Sequence, residues 1–218
     1  PGSHQIKAFD STKMMPLMPR KWWKEMLQKT LPGEAAQLLM APTFRGSVND
    51  QAHPHRAAVL ILLYPSRGET HLVFMKRNEY KGPHSGQVSF PGGAWEESDG
   101  TLDQTAIREC REELGIQESI EILGALTPLH IPVSNYLVAP FVGWMEQTPV
   151  FHPDRTEVQY VIEVSLRELL DPATQDSGTL HQHNRSVEAP YYGVGENKIW
   201  GATAMMLSEF LEVAARKQ

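Results

Sequence analysis

The stretch AAVLILLY (57–64) is apolar at every position and ends at Pro65. A strand with one face in water alternates apolar and polar residues, so a run without alternation reads as a strand buried within the domain. HLVFMKR (71–77) is its expected partner across the PSRGE turn. GQVSFPGG (86–93) reads as a short strand entering a glycine turn, and residues 102–114 as a helix with Gly115 just past its end. Further strands are expected at 120–126, 136–145 and 158–165, followed by a short helix in LRELLDP that a proline stops. A hairpin with GEN at its turn is expected over 189–201 and an amphipathic helix over 203–217. Strands and helices are interspersed, which predicts one α/β domain: a mixed β-sheet sandwiched between α-helices.

The remaining organisation is simpler. Residues 1–4, PGSH, resemble a tag scar. Residues 5–34 are an expected N-terminal extension whose short helix spans 19–33 and stops at Pro32-Gly33. Residues 35–218 form the expected single domain, with 34–56 crossing the surface to the first strand. The net charge of −6 provides no global basic field, so a nucleic-acid partner is not expected, and a polyanionic ligand needs local arginines or a metal. The lone cysteine, Cys110, excludes an internal disulfide framework and a cysteine-based zinc site, and is compatible with the cytoplasmic location expected here. No apolar run is long enough to span a bilayer, so no membrane partner is expected.

The chemistry concentrates in RECREELG (108–115). On a helix Glu109 and Glu113 lie one turn apart and Glu112 falls on the same side, while Ile107, Cys110 and Leu114 form a separate apolar flank. Three carboxylates so placed suit a hard cation. Arg108 and Arg111 also permit an ordinary solvated, charge-balanced face, and the helix by itself leaves both readings open. Before it stands FPGG (90–93), in which Pro91 stiffens the chain and Gly92-Gly93 permit close backbone approach. An acidic loop with Glu96, Glu97 and Asp99 then leads into the helix.

This unit resembles the signature of the Nudix hydrolases: Gly, five residues, an acidic residue, seven residues, then Arg-Glu-apolar-any-Glu-Glu-any-Gly-apolar. Gly93 begins it, Asp99 takes the acidic place, and RECREELGI (108–116) completes it. Two departures stand out: Asp replaces the usual Glu, and eight residues separate Asp99 from Arg108. HSGQVSFPGG (84–93) is similar to the segment before the signature in the coenzyme A pyrophosphatase branch, which the longer loop also fits. Asn78 stands where that branch commonly has a small hydroxyl residue, and Gly82 where it commonly has arginine.

The resemblance implies a Nudix fold and hydrolysis of the diphosphate of coenzyme A or its thioesters, with Mg²⁺ or Mn²⁺. It implies Glu109 and Glu113 as main metal ligands, the Gly92 carbonyl and Glu112 as completing the shell, and Arg108 as orienting the carboxylates. Glu112 and Glu157 are the candidates for general base, with Glu163 a weaker one. Arg77, Lys76, His84, Gly93 and the amides near Ser85 and Gly86 are candidate phosphate contacts. Tyr136 and Asn135 are candidate pocket residues. The expected partner is a small coenzyme A-like diphosphate, and the family fold often forms homodimers. Alternatives are hydrolysis of ADP-ribose, NADH or a deoxynucleoside triphosphate, and a non-catalytic nucleotide-binding module, against which the intact Glu109, Glu112 and Glu113 argue. Phe90, Cys110 and the tryptophans of KWW (21–23) are expected in packing, and the histidines of HQH (181–183) at the surface.

Overall fold

The computed structural model describes residues 17–43, 53–79, 85–182 and 185–216. Its organising element is β1 (His55–Ser66), which contains the apolar run. One edge of β1 pairs in parallel with β7 (Tyr136–Trp144), from His55 opposite Tyr136 to Leu63 opposite Trp144. The other edge is shared: β2 (Glu69–Arg77) pairs antiparallel with Leu63–Ser66, and β4 (Gly92–Ala94) with Ala57–Val59. Further strands extend the sheet. β3 (Val88–Ser89) and β8 (Val158–Ser165) pair with β2, while β5 (Glu121–Ala125) and β6 (Leu129–Ile131) pair with β7.

The absence of alternation in β1 now has its cause, because both faces of the strand are covered. Ala58, Leu60, Leu62 and Tyr64 pack with Ala106, Cys110 and Leu114 of α3 (Leu102–Leu114) on one side. Ile61 and Leu63 join the opposite core with Trp23 of α1 (Arg20–Gln28) and Phe210 of α5 (Gly201–Ala214). The architecture is therefore the expected α/β sandwich around a mixed sheet. A separate antiparallel sheet, β9 (Gln175–Gln182), β10 (Arg185–Val194) and β11 (Asn197–Trp200), precedes α5, and the short α4 (Leu166–Leu170) follows β8. Among the described residues no helix is long and apolar enough to cross a membrane.

Several expectations are corrected. The first helix stops at Gln28, short of Gly33, where Lys29 turns extended; the Lys29 N–H and Arg216 both donate to the Met26 carbonyl, and Arg216 also to that of Thr30. The segment after it is not all surface crossing: α2 (Glu34–Leu38) buries Ala36 and Gln37, and Met40 joins the core. The strand expected over 86–93 is two strands, because the chain changes partner from β2 to β1 at Phe90-Pro91. β6 and β9 were not apparent from the sequence pattern, and α5 begins earlier and ends sooner than expected. Phe90, Trp22, Trp23 and Cys110 are all buried. The histidines of 181–183 lie outside the described side chains.

The N-terminal segment is held by a buried carboxylate as well as by Trp23, which stacks on Phe210 at 5.3 Å. Glu209 of α5 has no exposed surface. It accepts from the Gly33 N–H (3.1 Å), Gln37 Nε2 (2.9 Å), the Thr127 N–H (3.2 Å) and Thr127 Oγ1 (2.7 Å). Glu209→Ala strands these donors away from water and is expected to cost on the order of 3 kcal/mol in equilibrium unfolding. An unchanged denaturant midpoint would show that the network carries no stability.

Candidate active site

The charges of α3 are organised by Arg108, whose guanidinium uses every N–H it has. Nε donates to Asp99 Oδ1 (2.6 Å), Nη1 to Glu109 Oε1 and Glu112 Oε2 (both 2.9 Å), and Nη2 to Asp99 Oδ2 (3.0 Å) and the Ala94 carbonyl (3.1 Å). Five donors in a rigid plane suit this task, which a lysine could not perform. Asp99 is itself fixed, accepting from Thr105 Oγ1 and the Glu96 N–H. The guanidinium beside it, chiefly through hydrogen bonding, holds its carboxyl well below the usual carboxylate range. A shorter Asp in the acidic place thus still reaches the arginine across the longer loop.

Glu113 points the other way, into the sheet, and is 2 % exposed. Its carboxylate accepts from the Gly92 N–H at 2.8 Å and faces Arg77 Nη1 at 3.5 Å. Burial is the main reason its pKa is pushed up to about 8; Arg77 and the Gly92 N–H oppose the shift, and Glu109 and Glu157 add to it by repulsion. Glu109 is raised too, first by burial and then, against Arg108, by Glu112 and Glu157. Burial also raises the Cys110 thiol, so this cysteine is packing material with little thiolate character.

Each glycine of the turn has a separate task. Gly92 has φ 154°, and a Cβ there would lie 2.3 Å from the Ala58 carbonyl oxygen, so the backbone of β4 approaches β1 too closely for any side chain. At Gly93 a Cβ would lie 2.3 Å from Glu109 Oε1, in the space the carboxylate occupies. Arg77 is aimed by a register shift between Lys76 and Arg77 in the pairing of β2 with β8, a device that commonly redirects a side chain at a strand end.

Glu157 arrives from a distant loop. The end of α3 leaves carbonyls without helical partners, and the loop takes them: His152 N–H donates to Leu114 O (2.9 Å) and Asp154 N–H to Glu113 O (3.0 Å). Gly115, in the left-handed region at φ 67°, lets the loop close in, since a Cβ there would meet the His152 carbonyl oxygen at 2.2 Å. The following turn is closed by Asp154, which accepts from Thr156 and Glu157. The exposed Glu157 side chain is thereby close enough to repel Glu109 and Glu113.

A cleft of about 380 Å³ opens beside this cluster. Gly92, Gly93 and Arg77 line one part; Ile131, Tyr136, Val138, Phe90 and Met206 line the rest. A more polar cleft of about 560 Å³ lies on the other side of Arg77, between Asn78, Glu79, Thr156 and Glu157. Of the sequence candidates, Arg108, Glu109, Glu112, Glu113, Gly92, Gly93, Arg77 and Glu157 are thus gathered around one α3 face and its adjoining clefts. Gly86 is placed differently: its N–H donates to the Asn78 carbonyl (3.2 Å), so this amide closes a turn rather than facing a phosphate. Ser85 shares that turn. Lys76 pairs within the sheet, and the exposed Glu163 is engaged by the Tyr64 hydroxyl at 2.8 Å. Asn135 holds His130 at 3.1 Å and does not line the cleft, whereas Tyr136 does. His84 lies outside the described residues. Ile131 and Ser134 were missed; their signal was the same HIPVS segment that pointed to Tyr136.

Among the described residues no three acidic, histidine or cysteine side chains converge closely enough to hold a metal as they stand. Arg108 draws Glu109 and Glu112 to itself, while the Gly92 N–H and Arg77 draw Glu113. The donor chemistry nevertheless fits a hard divalent cation: all the groups are oxygens, and two carboxyls are raised partly by the repulsion a cation would relieve.

A family model described as NUDIX domain matches residues 54–183. A protein from Yersinia enterocolitica described as an uncharacterized Nudix hydrolase, NudL, is 35 % identical over 159 residues, covering 72 % of this chain and 80 % of its own. The NudL of Yersinia pestis is 37 % identical over 156 residues, covering 70 % and 76 %. Among solved structures, a MutT/nudix family protein from Enterococcus faecalis superimposes with a TM-score of 0.52 at 13 % identity, covering 93 % of this chain and 76 % of that one.

The two glycines can be separated experimentally. Gly92→Ala forces backbone against backbone and is expected to lower the melting temperature. Gly93→Ala needs only the Glu109 carboxylate to move, so it is expected to melt like the parent while weakening Mn²⁺ binding by roughly tenfold. Equal melting of both variants would contradict the division of labour.

Proposed function

This chain belongs to the NUDIX domain family as a Nudix hydrolase, a pyrophosphohydrolase, and on that premise we propose that it cleaves the diphosphate of coenzyme A or its thioesters. The products would be adenosine 3′,5′-bisphosphate and 4′-phosphopantetheine, or its acyl form. The observation that carries the substrate reading is the continuity of the more apolar cleft. Its Gly92, Gly93 and Arg77 end suits a diphosphate, and the neighbouring Ile131, Val138 and Met206 suit an extended, partly apolar arm. The likeness of HSGQVSFPGG (84–93) to the coenzyme A branch supports it.

In this reading Glu109 and Glu113, with Glu112 and the Gly92 carbonyl, hold Mg²⁺ or Mn²⁺. A bound divalent ion neutralises diphosphate charge and makes a coordinated water more acidic. Arg108 keeps the carboxylates oriented while they exchange partners. Arg77, at the junction of the two clefts, donates to a phosphate oxygen. Water attacks one phosphorus, the bridging P–O bond breaks, and the attacking water gives up a proton. Glu157 accepts that proton. It is favoured over Glu112 because Glu112, although 59 % exposed in its side chain, is already tied to Arg108.

The reading is tested by incubating the protein with Mg²⁺ or Mn²⁺ and, separately, coenzyme A, ADP-ribose, NADH and deoxynucleoside triphosphates, with products resolved by chromatography. Coenzyme A is expected to be cleaved most efficiently. A preference for ADP-ribose would remove the coenzyme A assignment alone, and no turnover of any diphosphate would remove the hydrolase reading.

Glu113→Gln should lower turnover at least 100-fold, as expected for a lost metal ligand. Its effect on stability has the opposite sign. In the metal-free protein Glu113 ionises near pH 8, against an ordinary value of 4.5. Between those limits the unfolded chain binds fewer protons than the folded one, so this group's contribution falls as pH rises. The variant is therefore expected to melt no lower than the parent at pH 8 in a chelator. A markedly lower melting temperature would show that the carboxylate holds the fold together.

A further inference from the structure

Resting on the reading of Glu157 as the base, we propose that Asn78 is a positioning residue that sets where Glu157 acts. It follows Arg77 directly at the end of β2 and is bonded in three directions. Its main-chain N–H donates to the Glu157 carbonyl (2.9 Å), its Nδ2 to the Arg155 carbonyl (2.8 Å), and its own carbonyl accepts from Gly86 N–H (3.2 Å).

The loop carrying Glu157 is thus gripped from two sides. The end of α3 holds its first part, through His152 and Asp154. Asn78 holds its second part at residues 155 and 157, across the polar cleft that Asn78, Thr156 and Glu157 line together. The first grip ties the loop to the helix that carries Glu109 and Glu113. The second ties it to the strand end that carries Arg77. Together with the pairing of Val158 with Arg77, Asn78 therefore fixes how the turn bearing the base sits relative to the arginine at the phosphate junction.

The side chain has to donate. A carboxamide places an N–H on the Arg155 carbonyl, whereas aspartate at the same position would place an anionic oxygen against it. The main-chain bond to Glu157 survives Asn78→Asp, as do the bonds at the α3 end and the pairing of Val158 with Arg77, so what is lost is the hold on Arg155 and the turn between these fixed points loosens. A base must lie within hydrogen-bond reach of the proton it takes, and small displacements of such a group are costly to turnover and cheap to stability.

The test is a double-mutant cycle with Asn78→Asp and Glu157→Gln, assayed with Mg²⁺ on coenzyme A and on ADP-ribose, together with amide hydrogen exchange. Asn78→Asp is expected to lower kcat roughly 10- to 100-fold with KM changed less than about twofold. The double variant is expected to be no slower than Glu157→Gln alone. Exchange over residues 154–158 should quicken in Asn78→Asp while that of α3 stays unchanged. Should Asn78→Asp not fold, Asn78→Ala, which withdraws the donor without adding charge, is carried through the same cycle. Multiplying effects, or unaltered exchange in the loop, overturn the inference and leave the base assignment standing. Full turnover by Glu157→Gln overturns the base assignment and the inference with it.

Discussion

Everything at the carboxylate helix depends on the guanidinium of Arg108. Its N–H groups bind Asp99, Glu109, Glu112 and the Ala94 carbonyl in one plane. Without it, acidic side chains on adjacent turns would repel each other and the loop bearing Asp99 would lose its anchor. With it, the negative charge is concentrated but oriented, and held to partners that a stronger cation can displace. Glu113 lies outside that network, and its strain is of a different kind: a carboxylate taken out of water, with one backbone amide and the Arg77 guanidinium at 3.5 Å for company. Such a group costs stability where it stands, which is the usual mark of a residue kept for chemistry.

The same economy runs through the sheet. β1 shares one edge between β2 and β4, so the chain crosses between them at Phe90-Pro91 and arrives beside the helix as a bare glycine backbone. Gly92 then serves the fold by letting two strands touch, and Gly93 serves the site by leaving room for Glu109. Phe90, stacked on Phe74 at 4.7 Å, anchors the crossing in the core. The cleft beside the crossing is therefore a consequence of the sheet's topology, not an addition to it.

What was legible in the sequence was local. Eight consecutive apolar residues gave β1, and helical spacing separated the Cys110–Leu114 flank from the carboxylates, because both patterns express the period of one element against one core. The αL glycine at 115 was readable for the same reason. What was not legible involved partners remote in sequence. Arg216 bonds the carbonyl of Met26 in the last turn of α1 from nearly two hundred residues away, and Glu209 ties Gly33 and the buried Gln37 to α5. The loop of Glu157 reaches the site because α3 offers free carbonyls, Asn78 offers its amides and Val158 pairs with Arg77. In the sequence Asn78 stands out only as a departure from a pattern, with nothing to indicate the bonds it makes.

The proposed exchange is one in which the α3 carboxylates release Arg108, Gly92 and Arg77 to hold a divalent ion. It is tested most directly by electron paramagnetic resonance titration of Mn²⁺ into the protein and into Glu109→Gln and Glu113→Gln, without any substrate. Saturable uptake by the parent, lost or strongly weakened in both variants while their circular dichroism is unchanged, is the expected result. Uptake of equal strength by all three proteins would contradict it.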